Sequence, residues 1–178
     1  RRPGAPRRAA RPLLSGAALT WESAGPADTE RLGAALAERL RPGDLVLLRG
    51  ELGTGKTTLV RAAARALGVR EPVTSPTFTV AQAYRGRIPV AHVDAYRLEG
   101  ADAEEADLLR AALAEDAVAF VEWPDAIARA LPPPRYTLEL EHLGGDRRLV
   151  RLDAPEPAAR TELGRLIADL RARHRQPE

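Results

Sequence analysis

An α/β fold is what the sequence predicts: a three-layer arrangement of one central, mostly parallel sheet with antiparallel edge hairpins and helices on both faces. Three observations predict it. Proline and glycine punctuate the 178 residues into short apolar runs alternating with longer helical patterns, the mark of strands and helices in turn. Two runs, Leu45-Val46-Leu47-Leu48 and Val118-Ala119-Phe120-Val121, are apolar at successive positions, as strands covered on both sides are. Two later runs, Tyr136 to Leu143 and Arg148 to Leu152, alternate around Gly144-Gly145, which predicts a hairpin.

In chain order, Ala17 to Trp21 reads as a short strand. Thr29 to Leu40 carries Leu32, Ala35, Leu36 and Leu40 at helical spacing before Pro42-Gly43 stops it. The run from Leu45 is followed by a glycine-rich loop, and Thr57 to Leu67 is an alanine-rich helix with Gly68 as its stop. Thr77 to Tyr84 and Ile88 to Val93 are expected to form a hairpin across Arg85-Gly86-Arg87. Residues 102–114 read as a helix, and Asp125 to Leu131 as a short helix ended by Pro132 to Pro134, a stiff linker. Ala158 to Arg173 closes the pattern as an amphipathic helix packing Leu163, Leu166, Ile167 and Leu170 on the sheet.

Composition narrows the function classes. With 44% hydrophobic and 29% charged residues and no apolar run of membrane-spanning length, the chain reads as a soluble globular protein. Cysteine is absent, which excludes a disulfide framework and thiolate metal or redox chemistry. Five arginines precede the first acid, Glu22, leaving 22 basic against 25 acidic residues afterwards. The basic excess therefore lies in residues 1–16, read as a disordered arm with little apolar surface to bury. That arm lacks the apolar stretch of a signal peptide, so the expected location is cytoplasmic. Neither a membrane nor DNA is an expected partner. Of the 27 basic residues 26 are arginine; the one lysine is Lys56.

That lysine stands in Gly50-Glu51-Leu52-Gly53-Thr54-Gly55-Lys56-Thr57, which satisfies G-x-x-x-x-G-K-T between a predicted strand and a predicted helix. The spacing has a physical reason. Glycines let the backbone wrap closely and turn successive N–H groups inward, and the helix start adds partial positive charge, making an anion nest suited to a triphosphate. The fold is therefore expected to be P-loop NTPase-like, with residues 17–174 as one P-loop ATPase domain. Glu51, Leu52, Gly53, Thr54, Gly55, Lys56, Thr57 and Thr58 are the expected nucleotide-binding residues. Lys56 would reach the β- and γ-phosphates and the Thr57 hydroxyl would bind Mg²⁺. A compact ammonium suits such a nest where a guanidinium would be crowded.

Hydrolysis or transfer also needs an acid that positions Mg²⁺ and a group that orients the attacking oxygen. Asp94 and Glu122 each follow a predicted strand at its C-terminal end, the sheet edge where ligands bind in open α/β folds. Asp94 is assigned to direct or water-mediated Mg²⁺ binding. Glu122 is assigned to Mg²⁺-bound water or to orientation of the hydrolytic water. With Lys56 they form the expected catalytic set; with Thr57 they form the expected metal site.

Four blocks in fixed order carry a resemblance: Gly50 to Leu59, Thr74-Ser75-Pro76-Thr77-Phe78, His92-Val93-Asp94-Ala95-Tyr96-Arg97-Leu98 and Glu122-Trp123-Pro124. Over roughly residues 17–153 the chain resembles the bacterial tRNA threonylcarbamoyladenosine biosynthesis ATPase family, TsaE. The resemblance implies ATP as the nucleotide, with hydrolysis to ADP and phosphate. It implies Ser75, Pro76 and Thr77 as a switch segment near the γ-phosphate, Asp94 as a metal ligand and Glu122 as the Walker B type acid. It also implies partners of the TsaB and TsaD type, with tRNA reached indirectly. Ala95 stands where the family commonly has a larger apolar residue, and Ala83 precedes Tyr84 where an acid is common.

Alternatives stay open on the residues alone. A small P-loop kinase would add an acceptor pocket and an arginine-bearing lid, and an ATP-dependent assembly protein with negligible hydrolysis would differ only in turnover. An RNA-binding arm is a further reading. A GTPase is disfavoured because the N-K-x-D guanine segment needs a second lysine. His92 reads first as a structural histidine on the same side of its strand as Asp94, and Trp123, by strand alternation, as a core or partner residue pointing away from Glu122. Tyr96 and Arg97 read equally as a surface pair or as an anchor for a partner or the transition state.

Overall fold

Strand β2, Leu45–Arg49, lies at the middle of a seven-stranded sheet because its Val46 and Leu48 face one core and its Leu45 and Leu47 the other. The computed structural model describes residues 18–76, 79–96, 98, 109, 111, 113 and 116–174. The other strands are β1 Leu19–Ser23, β3 Ala81–Tyr84, β4 Val90–Asp94, β5 Val118–Glu122, β6 Tyr136–Gly144 and β7 Arg147–Asp153. Spatial order is β1-β7-β6-β2-β5-β4-β3. Strands β6, β2, β5 and β4 run parallel, whereas β3 pairs antiparallel with β4 on one edge, and on the other β7 pairs antiparallel with both β6 and β1. The sheet is therefore mixed, with parallel pairing at its centre and antiparallel pairing toward both edges.

Three α-helices are described: α1 Pro26–Ala37, α2 Lys56–Ala66 and α3 Pro157–His174. All three pack on one face of the sheet, where Leu32, Leu36, Leu59, Ala63, Leu163 and Leu166 meet Val46, Leu48, Phe120 and Leu138. The other face, built on Leu45, Leu47, Ala91, Val93, Ala119 and Val121, is covered by Leu98, Leu109 and Ile127. There Leu109 and Ala111 are helical, and the Leu113 N–H donates to the Leu109 carbonyl. The rest of the helix expected over 102–114 lies outside the described residues, as does the expected arm over 1–16. No described helix is long and apolar enough to cross a membrane.

Several boundaries differ from the sequence reading for local reasons. Helix α1 begins three residues before Thr29 because Pro26 presets a helical φ and Asp28 accepts the Ala24 N–H at 2.7 Å. Strand β3 starts at Ala81, not Thr77, since Val80 takes the left-handed conformation (φ 62°), which interrupts an extended run. The helix expected over Asp125 to Leu131 is instead a 3₁₀ turn, Pro124–Ala126, followed by turns. Its amides bond three residues back, Ile127 to Pro124 and Ala130 to Ile127, because Pro132 to Pro134 leave too little chain for an α-helix to nucleate.

Candidate functional site

The glycine-rich loop leaves β2 at Arg49 and enters α2 at Lys56. Gly50, Gly53 and Gly55 have φ of 134°, 77° and 101°, values that L side chains resist. At Gly50 there is also no room: an added Cβ would lie 2.8 Å from Thr54 Oγ1 and would overlap the Leu140 carbonyl of β6. Gly55 caps α2 without a side-chain hydrogen bond, so the first-turn amides of that helix point into the loop with the positive end of its dipole. Thr54 is buried and its hydroxyl donates to the Glu51 carbonyl at 2.9 Å, holding the loop as a closed turn. Glu51, Leu52 and Gly53 form the exposed rim, and Thr58 is half-buried one position into the helix from Thr57.

Lys56 is 4% exposed, and its Nζ donates to the Gly50 carbonyl at 2.7 Å and the Glu51 carbonyl at 3.0 Å. The same ammonium sits 4.4 Å from the centroid of the Trp123 ring, a cation–π contact. Burial holds the Lys56 pKa below the ordinary lysine value, while the charges of Glu122, Asp94 and Glu51 pull it upward. The lysine is thus a desolvated cation ringed by acids and aromatic surface.

Strand alternation gathers the acids. In β4, Ala91 and Val93 enter the core opposite the helices, so His92 and Asp94 lie on the α2 face; in β5 the same parity puts Glu122 there. Parallel pairing sets Asp94 directly beside Glu122, and Glu122 beside Leu48 two residues before Gly50. Glu122 Oε1 accepts the Thr57 hydroxyl at 2.9 Å and lies 2.9 Å from His92 Nε2. Since a carboxylate only accepts, Nε2 carries the proton there, and Nδ1 is fully buried with no hydrogen-bond partner among the described residues. Asp94 Oδ1 accepts the Tyr96 N–H at 3.0 Å. A cleft of about 440 Å³ opens beside the loop, lined among others by Arg49, Glu51, Thr54, Trp123 and His142, with Arg49 ion-paired to Asp125.

The family model described as "Threonylcarbamoyl adenosine biosynthesis protein TsaE" matches residues 23–150, a stretch that contains the loop and all three of these acidic and histidine positions. The chain belongs to the TsaE family. Among its TsaE relatives, the "tRNA threonylcarbamoyladenosine biosynthesis protein TsaE" of Streptomyces coelicolor is 46% identical over 118 residues, covering 65% of this chain and 80% of that one. The Bacillus subtilis protein of the same name is 36% identical over 138 residues, covering 76% and 85%. The crystal structure of Bacillus subtilis YdiB superimposes with a TM-score of 0.70 at 29% identity, over 89% of this chain and 97% of that one.

In this TsaE family member the residues singled out from sequence fall into two groups. Lys56, Thr57, Asp94 and Glu122 converge on one side of the loop. Ser75 is exposed and Pro76 buried in a segment tied to α2 through Arg61 Nε and the Val73 carbonyl, and to β3 through Thr74 and Tyr84; Thr77 and Arg97 lie outside the described residues. Three contributors were not placed in the site from sequence. His92 lies in it, holding Glu122, and the alternation with Asp94 was its signal. Trp123 turns onto Lys56 because its backbone is left-handed (φ 56°), which ends the strand alternation that pointed it elsewhere; Tyr96 meets its ring edge-on at 5.1 Å. Arg148 reaches the loop from β7, and no local sequence signal marks it.

Proposed function

We propose that the chain is a Mg²⁺-dependent ATPase of P-loop NTPase type that hydrolyses ATP to ADP and phosphate. It would act as the nucleotide-driven component of the machinery that makes the threonylcarbamoyladenosine modification of tRNA. One observation carries the reading: the lone lysine, the first hydroxyl of α2 and two strand-end carboxylates meet at the glycine-rich loop between β2 and α2. Each element answers a need of phosphoryl transfer. The loop amides and the start of α2 take the phosphate oxygens. Lys56 Nζ exchanges its two carbonyl acceptors for β- and γ-phosphate oxygens.

Thr57 Oγ1 and the carboxylates of Asp94 and Glu122 are hard oxygen donors of the kind Mg²⁺ takes alongside phosphate and water. Among the described residues no group of three or more His, Cys, Asp and Glu side chains is placed to hold a metal. When bound, the ion neutralises charge on the phosphoryl oxygens. Glu122 Oε1 is engaged by Thr57 and His92, so Oε2 is the oxygen that orients the attacking water. Trp123 covers Lys56 and keeps bulk water from its ammonium.

The names of the Streptomyces and Bacillus relatives support the place in tRNA modification. The proposed partners are TsaB- and TsaD-type proteins, with tRNA reached through them, and the proposed location is the cytoplasm. Calorimetric titration with ATP and MgCl₂, followed by phosphate release, tests the chemistry. Lys56→Ala removes a charge-assisted donor and is expected to weaken ATP about tenfold to a hundredfold. A wild-type protein that gives no binding heat at millimolar ATP refutes the reading. Co-purification with and without ATP tests the partnership.

A further inference from the structure

Arg148 holds the glycine-rich loop from outside. It sits in β7, paired with Ser23 of β1 and His142 of β6, so its backbone is fixed between two strands. Its guanidinium reaches across to the loop: Nε donates to the Thr54 carbonyl at 3.2 Å and Nη2 to the Gly53 carbonyl at 3.3 Å. Nη1 donates to the Gly145 and Arg147 carbonyls, both at 2.9 Å. One planar fork thus ties the turn of the β6–β7 hairpin to two successive loop peptides.

The consequence follows from peptide geometry. In a trans peptide the N–H points opposite to the C=O, so drawing the Gly53 and Thr54 carbonyls toward Arg148 turns the Thr54 and Gly55 N–H groups the other way. The Thr54 N–H meets the Glu51 carbonyl at 3.4 Å within the loop's own turn. By the same geometry the Gly55 N–H is turned away from Arg148. Glycine flanks this pair of peptides on both sides, and glycine peptides rotate at little cost, so an external restraint is what selects one orientation.

We propose that Arg148 is a positioning residue for the bound nucleotide: by gripping the carbonyls of Gly53 and Thr54 it fixes the loop's own turn at Thr54 and pre-orients the Gly55 amide toward phosphate, and so makes nucleotide affinity depend on the β6–β7 hairpin. The inference rests on the nucleotide reading of the loop. It predicts an effect on binding and not on the chemical step, because Arg148 acts on the phosphate cradle and is bonded to neither Asp94 nor Glu122 in any described contact.

The test uses the full chain with Mg²⁺ and titrates ADP and ATP into wild type, Arg148→Ala, Arg148→Lys and Lys56→Ala, with thermal melting alongside. Arg148→Ala is expected to weaken ADP and ATP alike by about tenfold, the effect of losing a charge-assisted contact. Turnover at saturating ATP should stay within about twofold of wild type. Arg148→Lys keeps the charge but cannot span both carbonyls, and should recover less than half of that loss on a logarithmic scale; it carries the test alone should the alanine variant lose its melting transition. Wild-type affinity in either Arg148 variant overturns the proposal, since a fully active lysine variant means that charge alone matters. A fall in turnover at unchanged affinity overturns it as well. Lys56→Ala separates the two readings: unchanged affinity there refutes nucleotide binding by this loop, whereas loss there with intact Arg148 variants refutes only the role of Arg148.

Discussion

Replacing Gly50 by alanine tests whether the loop is held by sterics as well as by motif. Two costs add. At φ 134° the backbone lies where a residue with a Cβ is strained by about 1–3 kcal/mol. The new methyl would lie 2.8 Å from Thr54 Oγ1 and 3.2 Å from the Leu140 carbonyl carbon, nearer still to its oxygen. Because Leu140 is a buried residue of β6, it cannot move aside, and overpacking adds about 1–3 kcal/mol. The expected destabilisation is about 2–6 kcal/mol, relieved only if the loop shifts and misaligns its amides. Gly53→Ala is the internal control. It suffers the φ strain at 77°, but its Cβ would meet only His142 Nε2, at 3.9 Å, so about 1–3 kcal/mol is expected. Urea denaturation monitored by Trp fluorescence measures both, and ATP titration reports the loop. Equal stability of the two variants, or wild-type ATP affinity in Gly50→Ala, would refute the steric argument.

Glu122→Gln keeps the shape and the Oε1 acceptor but removes the charge; phosphate release should fall about a hundredfold or more with ATP affinity within about threefold, and wild-type turnover would remove Glu122 from its role. His92→Phe deletes the Nε2 donor to Glu122 Oε1 and should slow turnover about tenfold at unchanged ATP affinity. His92→Gln, whose amide nitrogen can stand where Nε2 stood, should restore most of it, and no difference between the two variants would contradict the positioning. Lys56 carries a pKa lowered chiefly by burial, so the folded chain gives up that proton before the unfolded chain does. Its contribution to stability is then smallest well below the depressed value and rises with pH up to the ordinary lysine value of 10.5. The stability difference between wild type and Lys56→Met, measured by denaturant at rising alkaline pH, should move in favour of wild type; a difference that falls contradicts the desolvated site.

Local chemistry made much of this protein legible from its residues. Apolar parity at Leu45–Leu48 and Val118–Val121 marked the central strands, and Gly144-Gly145 marked the hairpin, because strand parity and turn geometry act over a few residues. The glycine spacing before Lys56 is likewise a local backbone property, and it located the loop between β2 and α2. Where local rules met a non-extended backbone they failed. Val80 at φ 62° shortened β3, Trp123 at φ 56° turned its ring onto Lys56, and three prolines kept Asp125 to Leu131 from becoming an α-helix.

The sequence by itself determined which residues are proposed to bind and polarise a phosphate: a lone ammonium, a helix-start hydroxyl and two acids at strand ends. Only the tertiary structure decided how they meet. Asp94 and Glu122 stand side by side because β4 and β5 pair in parallel, register for register. His92 grips Glu122 across 30 positions, and Arg148 grips the loop across 94. Contacts over such separations come from the packing of strands far apart in the chain, and no spacing rule reaches that far.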